Sequence, residues 1–360
     1  MAVENVTTVQ AEPNTTGRTV YFDVLRVLAA VAVMAIHVVA YKFSEVATTT
    51  FAWNMLNLTD VAATCAVPVF FMLSGALLLS REYSLKKLYG KKILRIVTCF
   101  VFWSAIYALW EFYKHRLIKD AASEFLRGPD HMWFLFTIVG LYMFVPVFKR
   151  IVEDEKTTRY CLLLLFIFSV VIDGSLNILS AVSMSKATFI LSVFKQSGLH
   201  GIPASAFYFI LGYYLSTHTL TKKQRRWIYI GAVIGFLFGA AGGAALSMYY
   251  HKPTAVFLKN NTIGICLEAV GVFVFIKQVF STRQLSQKAQ RVLAHLAKDS
   301  FGAYLVHYLV IMMLEEFLNL HVLRFHTVLS IPLLTAIVAL ISFGISDLLN
   351  RIPVVKKFLV

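Results

Sequence analysis

Ten stretches of 17 to 23 residues carry long apolar runs, at 21–40, 61–80, 93–113, 131–148, 160–180, 201–217, 227–248, 256–276, 300–320 and 327–349. A hydrocarbon core about 30 Å thick takes about 20 residues of helix to cross. Lipid offers the backbone no hydrogen-bond partner, so a chain of this pattern must span as helices. Gly, Ser and Pro within the runs do not break the pattern, because neighbouring helices satisfy the freed groups. Composition agrees: 58% of the residues are hydrophobic and 15% charged, against about half and a quarter in soluble domains. The expectation is an all-α, polytopic integral membrane protein of about ten transmembrane helices. It divides into a polar tail (1–20), one transmembrane domain (21–350) and a short basic tail (351–360). No repeat of fixed period stands out, and no segment outside the helices is long enough for a second domain.

The net charge of +15 would suit a nucleic-acid partner, but its distribution points elsewhere. Loops taken alternately from the N-terminal tail hold 22 Lys and Arg, and the intervening loops hold 10. Short loops rich in Lys and Arg stay cytoplasmic, so both termini are expected in the cytosol and no nucleic acid is expected. The surplus can also hold anionic lipid or an anionic substrate. Cys65, Cys99, Cys161 and Cys266 all fall in apolar runs without CxxC or ligand-spaced His, so buried thiols are expected, with no disulfide and no metal site. The first 20 residues are polar and include Glu4 and Glu12, unlike a cleaved signal peptide.

The first apolar stretch contains a feature that lipid alone would not select. Asp23 and Arg26 stand near its start, and His37 follows ten apolar residues, Val27 to Ile36. At about 100° per residue, the eleven steps from Arg26 to His37 return to within about 20° of the same direction, about 16 Å along the axis. Asp23, three residues before Arg26, shares that face. Arg26 alone reads equally as a snorkelling anchor, and Asp23 as its ion partner or a residue favoured by the helix dipole. His37, expected near mid-membrane, is either a satisfied core histidine or a functional group facing a wet interior.

The Arg26-x10-His37 pattern, with Asp23 and Leu25 ahead of it, resembles the signature of the membrane-bound acyltransferase family of polysaccharide and peptidoglycan O-acetylases, the acyltransferase type 3 family. Four later stretches resemble family helices in the same order: VPVFFMLSGALLL (67–79), KKILRIVTCFVFWSAIYAL (91–109) with Lys92 and Arg95, HMWFLFTIVGLY (131–142), and SFGAYLVHYLV (300–310). In lacking an appended soluble domain the chain is similar to the short enterobacterial common antigen O-acetyltransferases.

The resemblance implies acyl transfer from acetyl-coenzyme A, as donor substrate and not as bound cofactor, to a hydroxyl of a cell-envelope glycan or lipid-linked saccharide. It also implies a multi-pass protein of the bacterial cytoplasmic membrane, with membrane lipids as further partners. Such a transfer needs an activated nucleophile and donors for a tetrahedral oxyanion. Imidazole, with an unperturbed pKa of about 6.5, suits the base. His37, Arg26 and Asp23 are therefore the expected catalytic residues, with His37 as base or transient acyl carrier. Arg26, Lys92 and Arg95 are expected to bind acyl-coenzyme A phosphates. Lys86, Lys87 and Lys91 belong to the same basic cluster, where a plain cytosolic loop explains Lys86 and Lys87 better.

His307, Glu268 and Trp133 are candidates for lining the cavity. A packed histidine, an isolated structural acid and an aromatic packing element are the respective alternatives. Phe207, Tyr208 and Phe209 are candidates for stacking on sugar, or for an aromatic belt. A secondary transporter or flippase of a lipid-linked sugar is the rival function. It would have a similar helix count, intramembrane charges and a basic face, with related halves and broken helices as its marks. A receptor or scaffold gives no reason for the Asp23, Arg26 and His37 stripe.

Overall fold

Helix begins at Val20, just after an extended Thr19, in a computed structural model that describes residues 19–182, 185–198 and 203–358. Residues 1–18 and 359–360 of the two expected tails lie outside the described residues. In chain order the helices are α1 (Val20–Ala40), α2 (Phe51–Thr64), α3 (Ala66–Leu79), α4 (Leu85–Lys87), α5 (Leu94–His115), α6 (Ile118–Arg127) and α7 (Trp133–Met143). There follow α8 (Val145–Val152), α9 (Glu155–Leu165), α10 (Asp173–Ala181), α11 (Ser185–Gln196) and α12 (Ala204–Thr217). The last are α13 (Lys222–Tyr249), α14 (Ile263–Thr282), α15 (Gln287–Leu318), α16 (Thr327–Arg351) and α17 (Pro353–Phe358). No strand occurs among the described residues.

Among those residues, 8 helical spans are long and apolar enough to cross a membrane. Their breaks have local causes. α2 and α3 form one span, Phe51–Leu79, interrupted at Cys65, where the ring of Pro68 crowds the carbonyl of Thr64. Two π-helical turns, Leu88–Ile93 and Phe166–Ile172, join α4 to α5 and α9 to α10. The expected stretch 131–148 belongs to a ninth candidate span, bent by 58° between Met143 and Val145, with Pro146 in the first turn of α8. Of the expected stretch 201–217, residues 201–202 lie outside the described residues, and Ala204–Thr217 form α12, whose 14 residues rise about 21 Å, short of the hydrocarbon thickness.

α12 nonetheless runs through the bundle core from one end of α14 to the other, starting where the Tyr208 hydroxyl donates to the Asn260 carbonyl. It packs closely on α3, where a Cβ on Gly75 would overlap the Phe209 carbonyl and one on Gly212 the Met72 backbone. Only glycine lets two helix backbones approach so closely. Phe207, Tyr208 and Phe209 are buried here at 5%, 0% and 0% exposure. A sugar cannot reach them, which overturns the stacking reading. Lys277, on α14, caps the free end of α12 by donating to the Leu215, Ser216 and His218 carbonyls at 2.6, 3.0 and 2.9 Å.

α1 is enclosed by α2, α3, α14, α15 and α16. Its polar stripe therefore faces protein, which resolves the cost of carrying charge through an apolar helix.

Candidate active site

Asp23, Arg26 and His37 all line one cavity of about 890 Å³, bounded by α1, α3, α5, α7 and α15. Asp23 is buried at 6% exposure, while Arg26 and His37 are half-buried. Arg26 lies six residues into α1. His37 lies in its last turn, further from the helix start than the mid-membrane position expected from the apolar run alone. The eleven steps from one to the other separate them by about 16 Å along the axis. Val33, Val67, Phe70 and Phe134 supply apolar wall.

The Arg26 end is basic. Lys92 and Arg95 line the cavity there together with Arg81 and Lys298, two residues not anticipated as ligands. Lys92 follows from the π-helical turn at Leu88–Ile93, which shifts the register of side chains around the axis. Its ammonium sits 4.8 Å from the centroid of the Tyr83 ring, an orienting cation–π contact. Lys86, Lys87 and Lys91 are exposed and lie off this wall. Tyr142, near Arg26, faces Ser74 across α3 and α7.

The His37 end contains two further imidazoles. Ring centroids are 5.8 Å apart for His37 and His131, 5.1 Å for His37 and His307, and 5.0 Å for His131 and His307. Tyr308 stands 5.6 Å from His37 and 5.4 Å from His131, and Tyr107 stands 5.4 Å from His131. His131 lines the cavity and is 3% exposed. It is presented by a tight approach: Gly128 at φ +68°, which a side chain would resist, then Pro129 and the single turn Asp130–Met132 ahead of α7. The Tyr304 hydroxyl donates to the His131 carbonyl at 2.6 Å and fixes that turn.

His307 stands behind this pair. It is fully buried and off the cavity wall. Its Nδ1 is 2.5 Å from the Tyr304 carbonyl. A carbonyl only accepts, which assigns the proton to Nδ1 and leaves a lone pair on Nε2. That nitrogen has no hydrogen-bond partner among the described residues. The Tyr107 hydroxyl donates to the Leu305 carbonyl and accepts from the Leu309 amide, both at 3.0 Å, and so brackets His307 along α15.

Trp133 lines the cavity. Glu268 does not, contrary to its candidacy, and neither does His307. Glu268 belongs to the buried face of α14 that carries Ile265 and Ala269, with the Cys65 thiol as its electrostatic neighbour. His131, Tyr107, Tyr304 and Tyr308 were not anticipated as site residues. The sequence held one signal for them: all four sit in three of the fragments that resemble family helices, Tyr107 in KKILRIVTCFVFWSAIYAL, His131 in HMWFLFTIVGLY, and Tyr304 and Tyr308 in SFGAYLVHYLV.

One cluster has metal-ligand character. His295 Nε2 is 3.3 Å from Asp299 Oδ2 and 3.0 Å from Asp347 Oδ1. Asn350 donates to Asp299 Oδ1 at 2.9 Å and Arg351 pairs with Asp347. With both carboxylates so engaged, the group serves as a clasp between α15 and α16 beside Lys298.

The cavity therefore has a basic mouth, an apolar shaft and an end lined by His37 and His131. No curated protein matches the chain, and no solved structure matches it. The acyltransferase domain model, acyltransferase type 3, matches residues 19–351, and the chain belongs to that family as a multi-pass membrane acyltransferase.

Proposed function

We propose that the chain transfers an acetyl or other short acyl group from acyl-coenzyme A, taken from the cytosolic side, to a hydroxyl of a cell-envelope glycan or lipid-linked saccharide in the bacterial cytoplasmic membrane. One observation carries this reading: a single cavity has Arg26, Lys92 and Arg95 at one end and His37 at the other. The phosphates of the donor bind the basic mouth through guanidinium forks and the Lys92 ammonium. Its thiol arm descends the apolar shaft and brings the thioester to His37. Acyl-coenzyme A is then a substrate, and the protein needs no bound cofactor of its own.

His37 acts on the acceptor hydroxyl as general base, a role worth about 10²- to 10⁴-fold in rate, or takes the acyl group first and passes it on. Asp23, beside Arg26 on the cavity wall, orients that guanidinium toward the phosphates. The test uses membranes containing the full chain, radiolabelled acetyl-coenzyme A and a crude envelope-glycan fraction. Covalent, base-labile label on the glycan is expected with the wild type and none with His37→Ala, which still inserts. Label moved without ester formation would point to a transporter instead. Rapid quenching with donor alone separates the two routes, since only the second leaves acetyl on His37.

A further inference from the structure

We propose that His131 is the oxyanion donor of this site: its neutral imidazole N–H holds the thioester carbonyl oxygen as charge builds there, across the cavity from His37. The inference rests on the acyl-transfer reading and assigns a second catalytic residue to it.

Three observations carry it. His131 and His37 both line the cavity, with ring centroids 5.8 Å apart and planes at 71°. A carbonyl seated in the cavity beside the two rings meets a nitrogen of each, the arrangement an acyl-transfer site requires of base and oxyanion donor. Second, neither ring nitrogen of His131 has a hydrogen-bond partner among the described residues, although the residue is 3% exposed. The Leu305 backbone lies near the ring without meeting hydrogen-bond geometry. Buried polar atoms are rarely left unmatched unless a ligand completes them. Third, the surrounding fields separate the two imidazoles. His37 occupies the last turn of α1, where the helix dipole stabilises the positive charge a base acquires. His131 precedes the first turn of α7, where the dipole opposes a positive charge and favours an anion close by. A neutral imidazole at a helix N-terminus is a suitable carbonyl polariser.

The step balances without a further reactant. The acceptor oxygen forms its bond to the carbonyl carbon as His37 takes the hydroxyl proton, and the C=O π pair moves onto oxygen against the His131 N–H. Collapse re-forms the carbonyl and expels the coenzyme A thiolate, which takes the proton from His37. His131 gains and loses none. Its backbone is held by Tyr304, so the donor is preorganised, and this is what makes such a group effective.

The experiment compares purified wild type, His131→Leu, His131→Asn and His131→Gln, all as the full chain. It reads kcat and KM for acetyl-coenzyme A, and the infrared carbonyl band of bound donor carrying ¹³C at that carbon. Expected is a fall in kcat of about 10²- to 10³-fold in His131→Leu with KM little changed. An amide side chain, Asn or Gln, recovers at least a tenth of the wild-type rate across the same pH range, because it donates without titrating. The bound carbonyl band is expected at lower frequency than in free donor for wild type and the recovering amide variant, and back near the free value in His131→Leu.

A Leu variant that turns over at the wild-type rate would overturn the assignment. So would amide variants as inactive as Leu while still binding donor, or a wild-type band at the free-donor frequency, a reading that needs no variant to fold. Failure of the acyl-transfer reading is distinct, since the wild type itself would then esterify nothing.

Discussion

Tyr107 donates from its hydroxyl to the Leu305 carbonyl and accepts at the same atom from the Leu309 amide. Leu305 and Leu309 are an i, i+4 pair of α15, so the hydroxyl bridges the helix ladder at the turn that presents His307. Tyr107→Phe retains the ring and loses both bonds in a buried setting. It is expected to destabilise the fold by about 1–3 kcal/mol, seen as a lower thermal midpoint, and to lower kcat by loosening the ring contact with His131, with KM for the donor unchanged. Arg95, at the exposed mouth, behaves oppositely. Arg95→Ala is expected to raise KM for acetyl-coenzyme A about 10-fold and leave kcat in place, with a smaller effect on a donor lacking the 3′-phosphate. Equal KM for both proteins would remove Arg95 from the phosphate site. The stripe of Asp23, Arg26 and His37 was legible in sequence because one helix and its period contain it. His131, Tyr107 and Tyr304 were not read as site residues, because they meet His37 only through packing of α5, α7 and α15, which no local periodicity encodes.

α9 starts from an N-cap, Asp154, whose side chain accepts from the Thr157 amide. The Asp154 carboxylate accepts from the Thr157 hydroxyl at 2.6 Å and from its amide at 2.7 Å. These bonds, the hydroxyl's first, hold the Asp154 carboxyl below its ordinary range. A depressed folded pKa contributes stability above the unfolded value, near 3.9, and loses it as pH falls through the folded one. Asp154→Ala is therefore expected to speed hydrogen exchange at the Thr157 amide at neutral pH. At about pH 2 variant and wild type should exchange alike. A difference that persisted in acid would assign the cap to something other than the charge. Where elements departed from the apolar runs, the cause was a shift of period or length. The π turns at Leu88–Ile93 and Phe166–Ile172 re-aim side chains without changing hydropathy. Stretch 201–217 is as apolar as a span, yet its glycine and aromatics serve the crossing of α3 and α12. Hydropathy distinguishes helix from loop but not a short helix buried in the bundle from a long one facing lipid.

For the molecule as a whole, the proposed function depends on which end of the cavity meets the cytosol, since acyl-coenzyme A is made there. The basic mouth adjoins the segment 81–92 and the start of α15, both in the Lys- and Arg-rich set of loops, whereas His37 lies at the other end of α1. If that charge bias sets the topology, donor enters from the cytosol and chemistry takes place towards the opposite face, next to α6 and the loop after α1. Two exposed lysines report on the two ends: Lys119 on α6 and Lys223 at the start of α13. The native thiols interfere little, because Cys65, Cys99 and Cys266 are buried and Cys161 is partly covered. In intact cells a membrane-impermeant maleimide is expected to label Lys119→Cys promptly and Lys223→Cys only after the membrane is opened. The reverse pattern would turn the basic mouth away from the donor's compartment, and a cytosolic acyl-coenzyme A could then not reach His37 through this cavity.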